Sequence, residues 1–137
     1  MDPLHGSCLC GGVRFEVTQP FLRANLCHCK RCRKHSGAGA SAQGRVPRDG
    51  FALLSGEELI EVYQPPDGGM VKAFCRRCGS SLFGGRWPDG PEVSIRLGSL
   101  DDDPHIAPEF HTFVGSKAVW DALPEDGLPR YDGRKPA

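Results

Sequence analysis

The sequence predicts an all-β fold of short strands, and three observations carry that prediction. Its 18 glycines and 12 prolines are scattered along 137 residues and cut the chain into pieces too short for long helices. Apolar and polar residues alternate with a period of two in segment after segment, the pattern of a strand with one buried face. Turn-forming clusters separate those segments, at Ser55-Gly56, Pro65-Pro66-Asp67-Gly68-Gly69 and Pro88-Asp89-Gly90-Pro91.

Taken in order, Val13, Phe15 and Val17 share one face of the first predicted strand, with Arg14, Glu16 and Thr18 on the other. A single helical turn is expected over residues 30–35, where Cys29 and Cys32 at i and i+3 face the same way. Further strands are read at 59–63, at 71–74, after Gly79, at 93–97 and at 110–114. Trp120 reads as a packing anchor for the irregular end of the chain.

Length and charge bound the function. At 137 residues the expectation is one domain, residues 1–137, with enough core to fold without a metal. No apolar run approaches the about 18 residues of a membrane span, and residues 1–6 carry no apolar leader, so the expected setting is the reducing cytoplasm with no membrane partner. Lys and Arg number 17, as do Asp and Glu, and this zero net charge argues against a nucleic-acid protein. The balance hides an asymmetry. Residues 23–48 hold Arg23, Lys30, Arg31, Arg33, Lys34, Arg45 and Arg48 with no acid, whereas residues 101–126 hold Asp101, Asp102, Asp103, Glu109, Asp121, Glu125 and Asp126 against Lys117 alone. The basic block surrounds a cysteine cluster, where it would favour thiolates and anionic ligands.

Seven cysteines fall in three clusters: Cys8 and Cys10; Cys27, Cys29 and Cys32; Cys75 and Cys78. An odd number without a secretory leader argues against a disulfide framework, and a turn followed by a strand after Cys78 argues against a thioredoxin-like motif. Metal is the reading that explains all three clusters. Soft thiolates favour zinc, with iron the rival occupant. Four ligands close a structural site and three leave a position open, so the count suggests one of each. Spacing leaves the partition open, because Cys29 and Cys32 could equally join Cys75 and Cys78 in a zinc-ribbon arrangement. In Cys75-Arg76-Arg77-Cys78-Gly79 the glycine can take the positive φ of a zinc-knuckle turn. His28, between two candidate ligands, alternates away from them and is expected to stand behind the site or at the surface. His111 is expected to be a satisfied histidine within its strand.

The blocks at residues 6–15, 27–37 and 74–83, followed by Leu97-Gly98-Ser99-Leu100-Asp101-Asp102, Phe110-His111-Thr112-Phe113-Val114, Ala118-Val119-Trp120 and Leu128-Pro129-Arg130-Tyr131, resemble the glutathione-dependent formaldehyde-activating enzyme family, also called the centromere protein V-like family. The resemblance implies an Mss4-like β fold with two zinc sites. It implies that Cys8, Cys10, Cys75 and Cys78 hold the structural zinc and that Cys27, Cys29 and Cys32 hold a second, catalytic zinc, expected to be less tightly held and partly filled. It also implies glutathione as the thiol partner and a carbon–sulfur lyase activity on S-hydroxymethylglutathione.

An open zinc can keep a thiol ionised and polarise a small carbonyl beside it. Glutathione carries two carboxylates, for which Lys30, Arg31, Arg33 and Lys34, together with Arg76 and Arg77, are the candidate partners. The rival function is a non-catalytic zinc-stabilised binding module whose basic block meets an anionic partner.

Overall fold

The computed structural model describes residues 1–137 as two β-sheets packed face to face. The smaller sheet joins β1 (Leu4–Ser7), β2 (Arg14–Val17) and β5 (Phe51–Ser55) in antiparallel order β1-β2-β5. The larger contains β3 (Arg23–Cys27), β4 (Ser41–Pro47), β6 (Ile60–Tyr63), β7 (Lys72–Cys75), β8 (Ser81–Gly84), β9 (Glu92–Arg96) and β10 (His111–Thr112). Its order is β10-β3-β4-β9-β8-β7-β6. The one helix, α1 (Lys30–Ser36), links β3 to β4 and ends at Gly37 in the left-handed conformation.

Between the sheets lies an apolar core. Leu4, Phe15 and Val17 from the smaller sheet meet Val46, Ala73, Leu82, Phe83, Val93 and Ile95 from the larger. Phe15 packs edge-on to Phe83, and Trp87 stacks on Phe83 with centroids 4.2 Å apart. Period-two alternation then turns Gln43, Arg45, Ser94 and Arg96 to the opposite face of the larger sheet. That face is polar, yet Ser94 and Arg96 are buried on it.

All strands expected from alternation are present, with differences at the ends. β3 and β4, two central strands, were not legible, because Arg-Ala-Asn-Leu-Cys and Ser-Ala-Gln-Gly-Arg-Val-Pro lack the strong alternation of a half-buried strand. β10 is two residues long rather than five, since Phe113 takes φ 55° and the chain turns away. It also pairs parallel with β3, the exception to the antiparallel pattern. Trp120 is not a packing anchor: it is 70% exposed, and Trp87 fills the aromatic role in the core.

These placements predict opposite outcomes for two aromatic truncations. Phe83→Ala should cost about 3–5 kcal/mol in urea denaturation. Trp120→Ala should stay within about 0.5 kcal/mol of the parent.

Candidate functional site

The seven thiols carry no disulfide and gather in two groups, each with all its sulfurs within 4.8 Å of one another. The first joins Cys8 and Cys10, from the loop after β1, to Cys75 and Cys78, at the turn after β7. Cys8 and Cys10 Sγ are 3.5 Å apart, and Cys10 and Cys75 Sγ 3.9 Å. Ligands about 2.3 Å from a tetrahedral zinc stand about 3.8 Å from each other, so this donor set fits that ion. Local chemistry favours ionised sulfur at Cys10 and Cys78, while burial pushes the Cys75 thiol up. Val13 N–H donates to Cys8 Sγ and Arg77 Nε–H to Cys10 Sγ, at 3.2 Å each. Burial opposes ionisation of Cys78, but hydrogen bonding from Ser80 prevails and brings it down to about 5. Gly79 takes φ 80°, as a knuckle turn requires.

Cys27, Cys29 and Cys32 form the second group, at the end of β3 and the start of α1. Cys29 caps the helix by accepting from Cys32 N–H at 3.3 Å. Contacts from Cys27 and Cys32 pull the Cys29 thiol down to about 2, while contact with Cys29 pushes Cys27 well up. Three sulfurs this close cannot all ionise without a compensating cation, which is the chemistry of a ligand set. Two cations of the buried polar face attend them. Lys72 Nζ donates to Cys32 Sγ at 3.3 Å. Arg96 donates to Gln43 Oε1 at 2.8 Å and Ser94 Oγ at 3.3 Å, and the three cysteines supply its nearby negative charge. Neither cation pairs with a carboxylate, although Lys72 is only 8% and Arg96 only 6% exposed. Buried charge without a countercharge is costly, so the thiolates are its counterpart. A Cβ at Gly84 would stand 2.5 Å from Arg96 Nη2, so glycine there makes room for the guanidinium.

Behind the triplet runs a relay of two buried histidines that ends on an exposed carboxylate. Asp126 Oδ2 lies 2.7 Å from His111 Nε2, and His111 Nδ1 lies 2.9 Å from His28 Nε2. Asp126, held ionised, can only accept, so His111 donates through Nε2 and its Nδ1 accepts from His28 Nε2–H. The His28 amide also donates to Thr112 O at 3.0 Å. His28 is therefore buried behind the ligand loop rather than at the surface, and the relay fixes the conformation of residues 27–29 from the side away from the sulfurs. His111 is a satisfied buried histidine.

The candidate substrate-binding cations are dispersed. Arg31 pairs with Asp67 at 2.6 Å, Lys30 and Lys34 are exposed on α1, and Arg33 keeps its Nε buried without a partner. Arg76 is exposed, and Arg77 serves the four-cysteine group. Lys72, Arg96 and Asp126 were missed. Lys72 and Arg96 occupy polar positions of alternating strands, and such positions ordinarily read as solvent-facing; Asp126 lies in an irregular segment with no periodicity.

Two predictions follow from this geometry. Cys75→Ser should lose one metal equivalent together with much of the folding stability, whereas Cys29→Ser should lose one equivalent and keep its fold, as read by metal analysis and thermal melts. The hydrogen bond from His111, seconded by the Leu128 amide, holds the Asp126 carboxyl below its ordinary value. A lowered folded-state value stabilises the fold above the unfolded carboxylate pKa of about 4 and is lost as pH falls through the folded value. The Tm difference between the parent and Asp126→Asn should therefore be full at neutral pH and disappear on acidification below that range.

Comparison with known proteins agrees with the site. The sequence profile of the glutathione-dependent formaldehyde-activating enzyme family matches residues 3–116. A Halomonas elongata protein bearing that family name is 34% identical over 125 residues, which span 85% of this chain and 78% of that protein. A Penicillium rubens protein of the same name is 29% identical over 149 residues, spanning 95% and 76%. In fold, a crystal structure of a Rhodobacter sphaeroides protein aligns with a TM-score of 0.56 at 22% identity, covering 93% of this chain and 98% of that one. With a family match across most of its length and two cysteine groups brought together by the fold, the chain belongs to the glutathione-dependent formaldehyde-activating enzyme family.

Proposed function

We propose that this protein is a zinc-dependent carbon–sulfur lyase acting on the adduct of a thiol and a small aldehyde, with S-hydroxymethylglutathione as the adduct. One observation carries the reading: three sulfurs, and no fourth, gather beside two buried cations that have no carboxylate partner. In this reading Cys8, Cys10, Cys75 and Cys78 hold a structural zinc, and Cys27, Cys29 and Cys32 hold the reactive one.

When bound, zinc supplies a Lewis acid that keeps a thiol ionised near neutral pH. The chain's own residues decide which ligand suits that position. Three thiolates contribute −3, Lys72 and Arg96 contribute +2, and a divalent ion adds +2, leaving +1 in a buried setting. An anionic sulfur brings the sum to zero, whereas a neutral ligand leaves the excess uncompensated. In the synthetic direction a carbon–sulfur bond forms, the carbonyl π pair moves to oxygen, and the proton lost by the thiol ends on that oxygen. The lyase direction is the reverse. The relay of Asp126, His111 and His28 holds the sulfur-bearing loop still throughout. Lys30 and Lys34, exposed on α1, are positioned to attract the carboxylates of an approaching thiol, with Arg31 and Arg33 beside them.

No helix of the chain is long and apolar enough to cross a membrane. The proposed setting is the reducing cytoplasm, where seven thiols stay available for metal.

Exchange NMR on glutathione and formaldehyde tests the activity against the fast uncatalysed background. Zinc-loaded protein should accelerate exchange with S-hydroxymethylglutathione, and Cys29→Ser should abolish the effect. Lys72→Met should weaken glutathione binding about tenfold or more, and rising salt should weaken it in the parent. No acceleration above background would replace this reading with a zinc-stabilised binding module.

A further inference from the structure

The helix that carries two of the three triplet sulfurs, as its cap and in its first turn, spans only Lys30–Ser36, and a helix that short does not hold its shape in water without tertiary support. Cys32 is its one buried residue. The Arg31–Asp67 ion pair is exposed at both ends and adds little. A seat for α1 is provided by the β7–β8 hairpin. Cys32 and His35, at i and i+3, share a side of the helix, and both touch this hairpin. Lys72 Nζ donates to Cys32 Sγ at 3.3 Å, Ser81 Oγ lies 2.9 Å from His35 Nδ1, and the Phe74 ring stands edge-on to the His35 imidazole with centroids 6.1 Å apart.

The same hairpin serves the other cysteine group. Lys72 and Phe74 are two residues apart on β7, and Phe74 is paired with Ser81 on β8, so these three side chains stand on one face of the hairpin. Ala73 and Cys75, the alternate residues of β7, belong to the core on the other face. At the turn, Ser80 Oγ accepts from Leu9 N–H at 2.8 Å and lies 3.3 Å from Cys78 Sγ, and Ser80 O accepts from Cys75 N–H at 3.0 Å. Consecutive residues therefore address the two groups: Ser80 braces the four cysteines and Ser81 holds the helix of the triplet. Burial, with the positive charges of Arg96 and Lys72 nearby, brings the His35 imidazole down to about 4. The ring is neutral near pH 7, and the Ser81 hydroxyl complements either of its tautomers.

We propose that the β7–β8 hairpin couples the two cysteine groups, and that His35 is the positioning residue through which it presets the triplet. With the four-cysteine group closed on its ion, the turn bearing Cys75, Cys78 and Ser80 is fixed. Phe74 and Ser81 are then presented to His35, and α1 so seated holds Cys29 and Cys32 for the second ion. The two states are α1 seated on the hairpin and α1 frayed from it, and the coupling is reciprocal. It rests on the reading of both cysteine groups as metal sites and is independent of the reaction.

Titration of the metal-free protein with zinc against a competing chelator, and with cobalt for its thiolate charge-transfer band, tests this. Binding at the triplet is followed through the backbone NMR signals of Cys27, Cys29 and Cys32. The parent should take two equivalents. Ser81→Ala and His35→Ala should each weaken the triplet for zinc about fivefold or more, leave the four-cysteine group unchanged, and alter the cobalt band of the triplet. His35→Asn, which keeps a hydrogen-bonding group near the Nδ1 position, should recover much of the loss. Cys10→Ser removes an exposed ligand of the other group. It should weaken the triplet as well, about fivefold, and should add little to that loss once Ser81→Ala is present. Triplet affinity unmoved by Ser81→Ala and His35→Ala, or a Cys10→Ser effect undiminished by Ser81→Ala, would overturn the coupling and leave the metal reading standing. Fewer than two equivalents in the parent would overturn both.

Discussion

Everything in this structure is arranged around the meeting of Cys8 and Cys10 with Cys75 and Cys78. The first pair leaves the smaller sheet after β1, and the second sits at the turn between β7 and β8 of the larger sheet. Bringing them together ties the smaller sheet to the larger, with Cys8 and Cys75 buried in the core between them. Packing supports the same closure: Gly12, in the loop that bears the first pair, lies against Leu59 and the Arg77 side chain that also donates to Cys10. The apolar core of Phe15, Phe51, Phe83 and Trp87 fills the space so defined. A metal among these sulfurs would stabilise the native state alone, since the unfolded chain presents no such cluster.

With one face of the larger sheet committed to that core, its other face is free for chemistry. There the protein carries a burden that a purely structural sheet would avoid. Lys72 and Arg96 are buried without carboxylates, which is unfavourable unless negative charge is supplied locally. Three sulfurs supply it, and they are held by a loop whose rear side is pinned through His28, His111 and Asp126. The site is thus rigid behind and charged in front. Preorganisation of this kind lets a ligand meet its counter-charges without reordering side chains.

The acidic stretch toward the end of the chain has a structural use in this scheme. Glu109 accepts from the backbone of Ala24, and Asp126 accepts from His111, so the tail is bound along β3 and β10 beside the triplet. The basic stretch, by contrast, does not form one patch. Arg23 pairs with Glu92, Arg31 with Asp67, and Arg45 shares Glu92; Arg33 and Arg48 are half-buried, and Lys30 and Lys34 are exposed on α1. Charge asymmetry along a sequence becomes a surface field only where folding leaves the charges unpaired.

Short-range chemistry is what the sequence by itself determined. The β class followed from alternation and from the distribution of glycine and proline, the turn at Lys30–Ser36 from the spacing of Cys29 and Cys32, and the left-handed Gly79 from its place after Cys78. Each depends on neighbours a few residues apart. Which cysteines make up the four and which the three did not, because two partitions were equally compatible with spacing until β1 and β7 were placed in opposing sheets. Trp120 and Trp87 were likewise indistinguishable as apolar residues, and only packing put one outside and the other on Phe83. Lys72 and Arg96 looked like solvent-facing positions of ordinary strands, and Ser41 lay in a stretch not legible as a strand at all. That their side of the sheet is buried beneath the helix and loops is a long-range fact, and the alternation that marks a polar face cannot say what covers it.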